Sequence, residues 1–181
     1  MDRRCFFRLG ANNRRSAMAS FSKNILGLKR ERSVLRPPGA LPEEDFLITC
    51  THCRSCANAC PYDAIEIVAS DDGSILDGTP YIDPFESPCR YCEDMPCIRA
   101  CEPKALIHNE QAMKMGRALF HKEHCLITQG QHCDYCFRSC PKRVKAISKS
   151  KEGTPEIDHS KCVGCGKCVF ICVSKSGKAL S

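Results

Sequence analysis

The chain contains no tryptophan, and only 8 Phe and 4 Tyr in 181 residues. Its hydrophobic fraction of 43% includes 17 cysteines, and without them the apolar residues fall to roughly a third of the chain, thin for a globular core. Packed side chains alone are therefore not expected to fill the centre. No stretch approaches the roughly 18 consecutive apolar residues of a membrane span. Also missing are a Gly-rich phosphate loop, a flavin or nicotinamide fingerprint, and any Ser/His/Asp arrangement whose parts can be named. These absences argue against a membrane-spanning protein and a nucleotide enzyme, and no catalytic residue is assigned.

What the chain has instead is cysteine, at more than 9% of its residues. Secreted disulfide scaffolds are usually shorter and follow a clear apolar signal. Paired Cys-x-x-Cys knuckles can hold zinc tetrahedrally. Spacing separates that option from iron–sulfur chemistry. In bacterial-type 4Fe–4S runs, Cys-x2-Cys-x2-Cys-x3-Cys-Pro, three close thiolates hold one cubane and the fourth reaches a second.

Four runs fit this logic. CTHCRSCANACP matches at every position with Cys50, Cys53, Cys56, Cys60 and Pro61. CRYCEDMPCIRAC supplies Cys89, Cys92, Cys97 and Cys101, with two extra residues before the third cysteine. CLITQGQHCDYCFRSCP supplies Cys125, Cys133, Cys136 and Cys140, its first gap stretched to eight positions. CVGCGKCVFIC supplies Cys162, Cys165, Cys168 and Cys172, with Val173 in place of proline. Only Cys5 is left over.

First cysteines recur at 50, 89, 125 and 162, steps of 39, 36 and 37 residues, so a module is repeated four times and Cys125 opens the third on schedule. The residues ITQGQH then form an exposed excursion, because lengthening a loop costs closure entropy only logarithmically. Each module is expected to run short strand, cysteine loop, one or two helical turns, strand. The predicted fold class is α+β, built from small, loop-rich modules.

Sixteen cysteines are thus candidate ligands of four 4Fe–4S clusters. The crossing of fourth cysteines pairs modules either as one with two and three with four, or nested as one with four and two with three. The two lengthened loops lie in modules two and three, and that likeness favours nesting. The expected sets are Cys50, Cys53, Cys56 with Cys172; Cys162, Cys165, Cys168 with Cys60; Cys89, Cys92, Cys97 with Cys140; and Cys125, Cys133, Cys136 with Cys101. Four thiolates leave no open position for substrate, so single-electron transfer is the expected chemistry. Ala57, Ala59, Gly164 and Gly166 either bring backbone N–H groups close to sulfur or relieve crowding in tight loops. His52, His124, His132 and His159 sit near cysteines in sequence but are not needed as ligands.

The segment 1–36 stands apart as a basic tail with net charge +8, leaving −2 for residues 37–181. Such a tail can lie on an acidic core, an acidic partner or an anionic lipid surface. Arg3 and Arg4 followed by Phe6 and Phe7 resemble a twin-arginine export signal. Arg14, Arg15 and Lys23 interrupt the apolar stretch such a signal needs, so a cytoplasmic location is expected, with periplasmic export as the alternative. Nucleic acid is not an expected partner, because the basic residues are not interleaved with a reading motif.

The block LRPPGALPEEDFLITCTHCRSCANACPYDAI resembles the NapF/NapG/MauM group of ferredoxin-type proteins, and the likeness continues through GTPYIDPFESPCRYCEDMPCIRAC and CLITQGQHCDYCFRSCP. It covers most of residues 34–172. The group comprises accessory electron carriers of periplasmic nitrate reductase and methylamine-utilisation systems. The resemblance implies a bacterial-ferredoxin-like polyferredoxin with four 4Fe–4S clusters on the matching cysteines. It also implies a redox partner, either a reductase catalytic subunit or a quinol-oxidising membrane subunit. The alternative it carries is an accessory protein aiding maturation or iron–sulfur loading of a molybdoenzyme. Glu102 before Pro103, and Val173 itself, depart from the group's pattern.

Overall fold

A computed structural model describes residues 34–70, 73–174 and 179–181. The chain divides at 33/34, and residues 34–181 form one compact unit. Cys5, the paired arginines and nearly all of the basic tail lie outside the described residues. Leu35 and Arg36, grouped with the tail by charge, belong to the packed unit: Leu35 lies against the core and Arg36 is buried.

Secondary structure is short throughout. Helix α1 (Glu43–Thr49) starts after Pro42 and carries Glu43, Glu44 and Asp45 in its first turn, where the helix dipole favours negative charge. Its one buried residue is Phe46, and the helix ends where the Cys50 N–H bonds to the Phe46 carbonyl. Single-turn helices follow in each module: α2 (Ser55–Asn58), α3 (Pro96–Arg99), α4 (Tyr135–Ser139) and α5 (Lys167–Phe170). The third cysteine of every run is the second residue of its helix.

Two antiparallel hairpins join the modules. Strand β1 (Glu66–Ile67) pairs with β2 (Pro80–Tyr81), Glu66 opposite Tyr81, and the Tyr81 hydroxyl donates to Glu66 Oε2 at 2.6 Å. Strand β3 (Ile147–Lys149) pairs with β4 (Pro155–Ile157), Ile147 opposite Ile157. The remaining approach and exit segments meet as single bridges, Ala40 with Leu106 and Phe120 with Leu180. The exit of module one therefore pairs with the approach of module two, and the approach of module one with the exit of module two. Modules three and four repeat the scheme. The result is a loop-rich molecule of two like halves, which replaces nesting with neighbour pairing.

Seven of the residues in the buried core are cysteines, interleaved with Phe46, Ile82, Leu106 and Leu180. Between the halves, the Met115 N–H bonds to the Val163 carbonyl at 3.0 Å and Lys114 Nζ to the Ser160 carbonyl at 2.9 Å.

Arg36 fastens the start of the fold. Its guanidinium forms two bonds to Glu43, at 2.6 and 3.0 Å, and also donates to Thr79 Oγ1 and the Pro80 carbonyl at 2.9 and 2.8 Å. It lies 4.7 Å over the Phe46 ring. One side chain thus ties α1 to the β1–β2 hairpin. An Arg36→Met variant is expected to lose about 2–4 kcal/mol of stability, since it strands buried acceptors; the midpoint of urea unfolding of the loaded protein reads this loss.

Candidate iron–sulfur sites

The cysteine loops are shaped by left-handed backbone. In modules one, two and four, the residue two after the first cysteine has positive φ: His52 at 57°, Tyr91 at 52° and Gly164 at 71°. So does the residue two before the third cysteine: Arg54 at 61°, Met95 at 41° and Gly166 at 78°. Two such turns curl the chain so that successive thiols face one centre. Module three departs, with Asp134 at φ −141° before its helix. There the chain instead closes on itself after Cys125, the Thr128 and Gln129 N–H groups bonding to the Cys125 carbonyl at 3.1 and 3.3 Å. Thr128 Oγ1 also donates to the carbonyls of Lys122 and Cys125, each at 2.7 Å. Residues 128–132 are exposed, as the loop excursion required.

The thiols gather in four sets. Cys60, Cys89, Cys92 and Cys97 line one cavity, with about 340 Å³ of atom-free space including its open mouth. Cys140, Cys162, Cys165 and Cys168 line a second, about 360 Å³. Cys125, Cys133, Cys136 and Cys172 line a third, about 380 Å³. Cys50, Cys53 and Cys101 surround Cys56 closely enough to act on its ionisation. We number these sites in spatial order: site I (Cys50, Cys53, Cys56, Cys101), site II (Cys60, Cys89, Cys92, Cys97), site III (Cys140, Cys162, Cys165, Cys168) and site IV (Cys125, Cys133, Cys136, Cys172). Cys125 is buried and lines site IV beside Cys133 and Cys136, so the stretched gap does not remove it.

The nested sets expected from loop length do not match this arrangement. Each fourth cysteine crosses to the neighbouring module: Cys101 to site I, Cys60 to site II, Cys172 to site IV and Cys140 to site III. The cause is the strand pairing, which folds each module back on the next.

Burial dominates the chemistry of these thiols. It pushes Cys56, Cys89 and Cys168 up to about 12, and Cys97 and Cys136 up to about 11. Neighbouring thiols raise them further by like-charge repulsion. Without a bound cation such groups hold their protons at neutral pH, so they are not free nucleophiles, and loading a metal centre must displace those protons. Cys53 differs: it is exposed, and hydrogen bonding from Ser55 lowers its pKa.

The sites also carry donors aimed at sulfur. The Ala64, Leu106 and Ala146 N–H groups bond to the Sγ atoms of Cys60, Cys101 and Cys140 at 3.3–3.4 Å, and Tyr91 N–H to Cys89 Sγ at 3.3 Å. The first three follow a repeat that sequence reading passed over, in which a buried alanine and an aliphatic residue close each module: Ala64-Ile65, Ala105-Leu106, Ala146-Ile147 and Ala179-Leu180. Of the small residues singled out in sequence, Ala57 offers its N–H to Cys56. The Ala59 N–H serves its own helical turn. The glycines relieve crowding: a Cβ on Gly166 would lie 2.5 Å from Pro84 Cβ, and one on Gly164 2.4 Å from Gly116 N.

Neighbouring sites lie within electrostatic reach of one another. Cys165 of site III acts on Cys89 of site II, and Cys136 of site IV acts on Cys168 of site III. Helix α2 of module one packs on α3 of module two, which brings sites I and II together. Sets of four thiols, with backbone N–H groups directed at sulfur, suit a cubane iron–sulfur centre.

Fold and site thus define a duplicated two-cluster iron–sulfur scaffold, and comparison with known proteins gives the family. The 4Fe-4S dicluster domain matches twice, at residues 49–105 and 129–176. The methylamine utilization ferredoxin-type protein MauM of Methylophilus methylotrophus is 40% identical, over 94% of this chain and 80% of its own length. MauM of Paracoccus denitrificans is 41% identical and the ferredoxin-type protein NapG of Escherichia coli 39%, each over 77% of this chain and 66% of its own length. The ferredoxin-type protein NapF of Escherichia coli is 27% identical over 76% of this chain. No solved structure matches. The chain belongs to the NapG/MauM family of ferredoxin-type 4Fe–4S proteins, and it is an electron carrier of that kind. No helix among the described residues is long and apolar enough to cross a membrane.

Proposed function

We propose that this chain carries four 4Fe–4S clusters, one in each of sites I to IV, and relays single electrons to or from a respiratory oxidoreductase of the nitrate reductase or methylamine type. The observation that carries this reading is the row of thiol sets, I to II to III to IV, each lying near the next. Bound clusters supply one-electron chemistry, with potentials set by hydrogen bonding, charge and exposure. The chain's own residues hold the sulfurs, direct N–H groups at them and exclude water from the middle of the row. Cys89, Cys97, Cys162, Cys165 and Cys168 of the two central sites are buried. The outer sites reach the surface, at Cys53 in site I and beside Tyr135 and Val173 in site IV, which are 48% and 50% exposed. Electrons enter and leave at those ends.

A second reading, an accessory protein aiding iron–sulfur loading of a molybdoenzyme, is supported by the weaker likeness to NapF. The higher identity to NapG and MauM favours the relay. Cell fractionation separates the two by compartment: a periplasmic location supports the relay, a cytoplasmic one the accessory role.

Iron, acid-labile sulfide and zinc measured on protein purified without oxygen test the cluster reading. The expected result is about sixteen iron and sixteen sulfide per chain, four of each per cubane, with zinc absent. A Cys125→Ser variant is expected to lose about a quarter of both. About twelve iron, unchanged in the variant, would mean that site IV holds no cluster. Zinc in place of iron and sulfide would overturn the electron-transfer reading.

A further inference from the structure

Arg143 belongs to the second half of the molecule, on the turn closed by the Val144 and Lys145 N–H bonds to the Pro141 carbonyl. Its side chain crosses to the first half. Nη1 donates to the Cys92 carbonyl at 3.0 Å, and the guanidinium carbon lies 4.7 Å over the Tyr91 ring. Both contacts fall on site II. Cys92 is one of its four cysteines, and the Tyr91 N–H bonds to the sulfur of another, Cys89. One cation from the far half therefore grips the strained residue that directs an N–H at site II and binds the backbone of a second cysteine there.

A cluster becomes more negative when it accepts an electron, so a nearby fixed positive charge favours the reduced state and raises the potential. N–H bonds to sulfur act in the same direction. Arg143 supplies the charge and packs on the residue that makes the N–H bond. Asp94, two residues beyond Cys92 on the same loop, is a fixed charge of the opposite sign.

We propose that Arg143 is a positioning residue that raises the reduction potential of the site II cluster, with Asp94 acting against it. The inference rests on the proposal that site II holds a cluster.

The experiment is a potentiometric titration of the anaerobically purified, full-length protein, followed by electron paramagnetic resonance. The site II signal is identified as the one missing in a Cys92→Ala variant. In Arg143→Gln the midpoint of that signal is expected to fall while the other three stay in place. In Asp94→Asn the same midpoint rises, and in Arg143→Lys, which keeps charge but loses the planar fork, it falls less. Lys142→Gln removes an adjacent exposed charge and leaves it unmoved. Should Arg143→Gln lose the site II iron, the Arg143→Lys and Asp94→Asn shifts decide. Full iron with four unchanged midpoints, all four moving together, or an equal shift in Lys142→Gln would each overturn the role of Arg143. A missing site II signal in the wild-type protein would overturn the cluster assignment itself, and this inference with it.

Discussion

A Cys50→Ala, Cys101→Ala double variant is expected to lose no more iron than either single variant, about four atoms per chain, the content of one cubane. Both residues belong to site I, so the second substitution strikes a centre already gone. Substitutions in one unit are not additive, whereas those in separate units add. The control is Cys50→Ala with Cys172→Ala, which strikes sites I and IV and is expected to lose about eight. The nested arrangement predicts the reverse, because it places Cys172 with Cys50 and Cys101 with Cys125. Iron and sulfide counts on the two double variants therefore distinguish the pairings without assigning any spectrum. Equal losses of about eight in both would show that neither pairing describes site I.

Gly164→Ala is expected to be strongly destabilising. Gly164 has φ +71°, a region that costs other residues about 1–2 kcal/mol. A Cβ there would sit 2.4, 2.5 and 2.6 Å from the N, C and Cα atoms of Gly116. Those are backbone atoms and cannot swing aside as a flexible side chain would, so overpacking adds about 1–3 kcal/mol. Gly164 also lies between Cys162 and Cys165, and the approach of Gly116 is part of the junction between halves. The combined loss, about 2–5 kcal/mol, is expected to lower the urea midpoint strongly and to release iron from site III first. Gly130→Ala is the comparison. Its φ is +78°, but nothing lies within 4 Å of the added carbon, so only the backbone strain remains. Similar losses in the two variants would show that contact with Gly116 contributes nothing.

Much of the site was legible because ligand spacing is a local property. Three cysteines two or three residues apart can close on one centre only through tight turns, and positive φ at His52, Arg54, Tyr91 and Met95 is the form those turns take. The repeat of 36–39 residues placed Cys125 in its module before any contact was known, and it lines site IV with Cys133, Cys136 and Cys172. The alanine–aliphatic pairs that close each module were equally available in the sequence.

Other features needed the fold. Arg36 was grouped with the basic tail on composition, yet its partners Thr79 and Pro80 lie more than 40 residues away, and only packing shows it buried. Gly164 and Gly166 are glycine because Gly116 and Pro84 press against them, contacts no local pattern records. Arg143 stands in the basic stretch KRVK, and only the meeting of two halves puts it on Tyr91 and Cys92.

Composition already limits the apolar core and puts cysteines into it. Spacing alone groups sixteen cysteines into four runs of four. These follow from composition and from spacings of a few residues. Which fourth cysteine lies beside which set, and the order of the sets along the molecule, come only from the folded chain. Those depend on strands pairing across modules, β1 with β2 and β3 with β4, while the chain between paired strands can lengthen at little entropic cost.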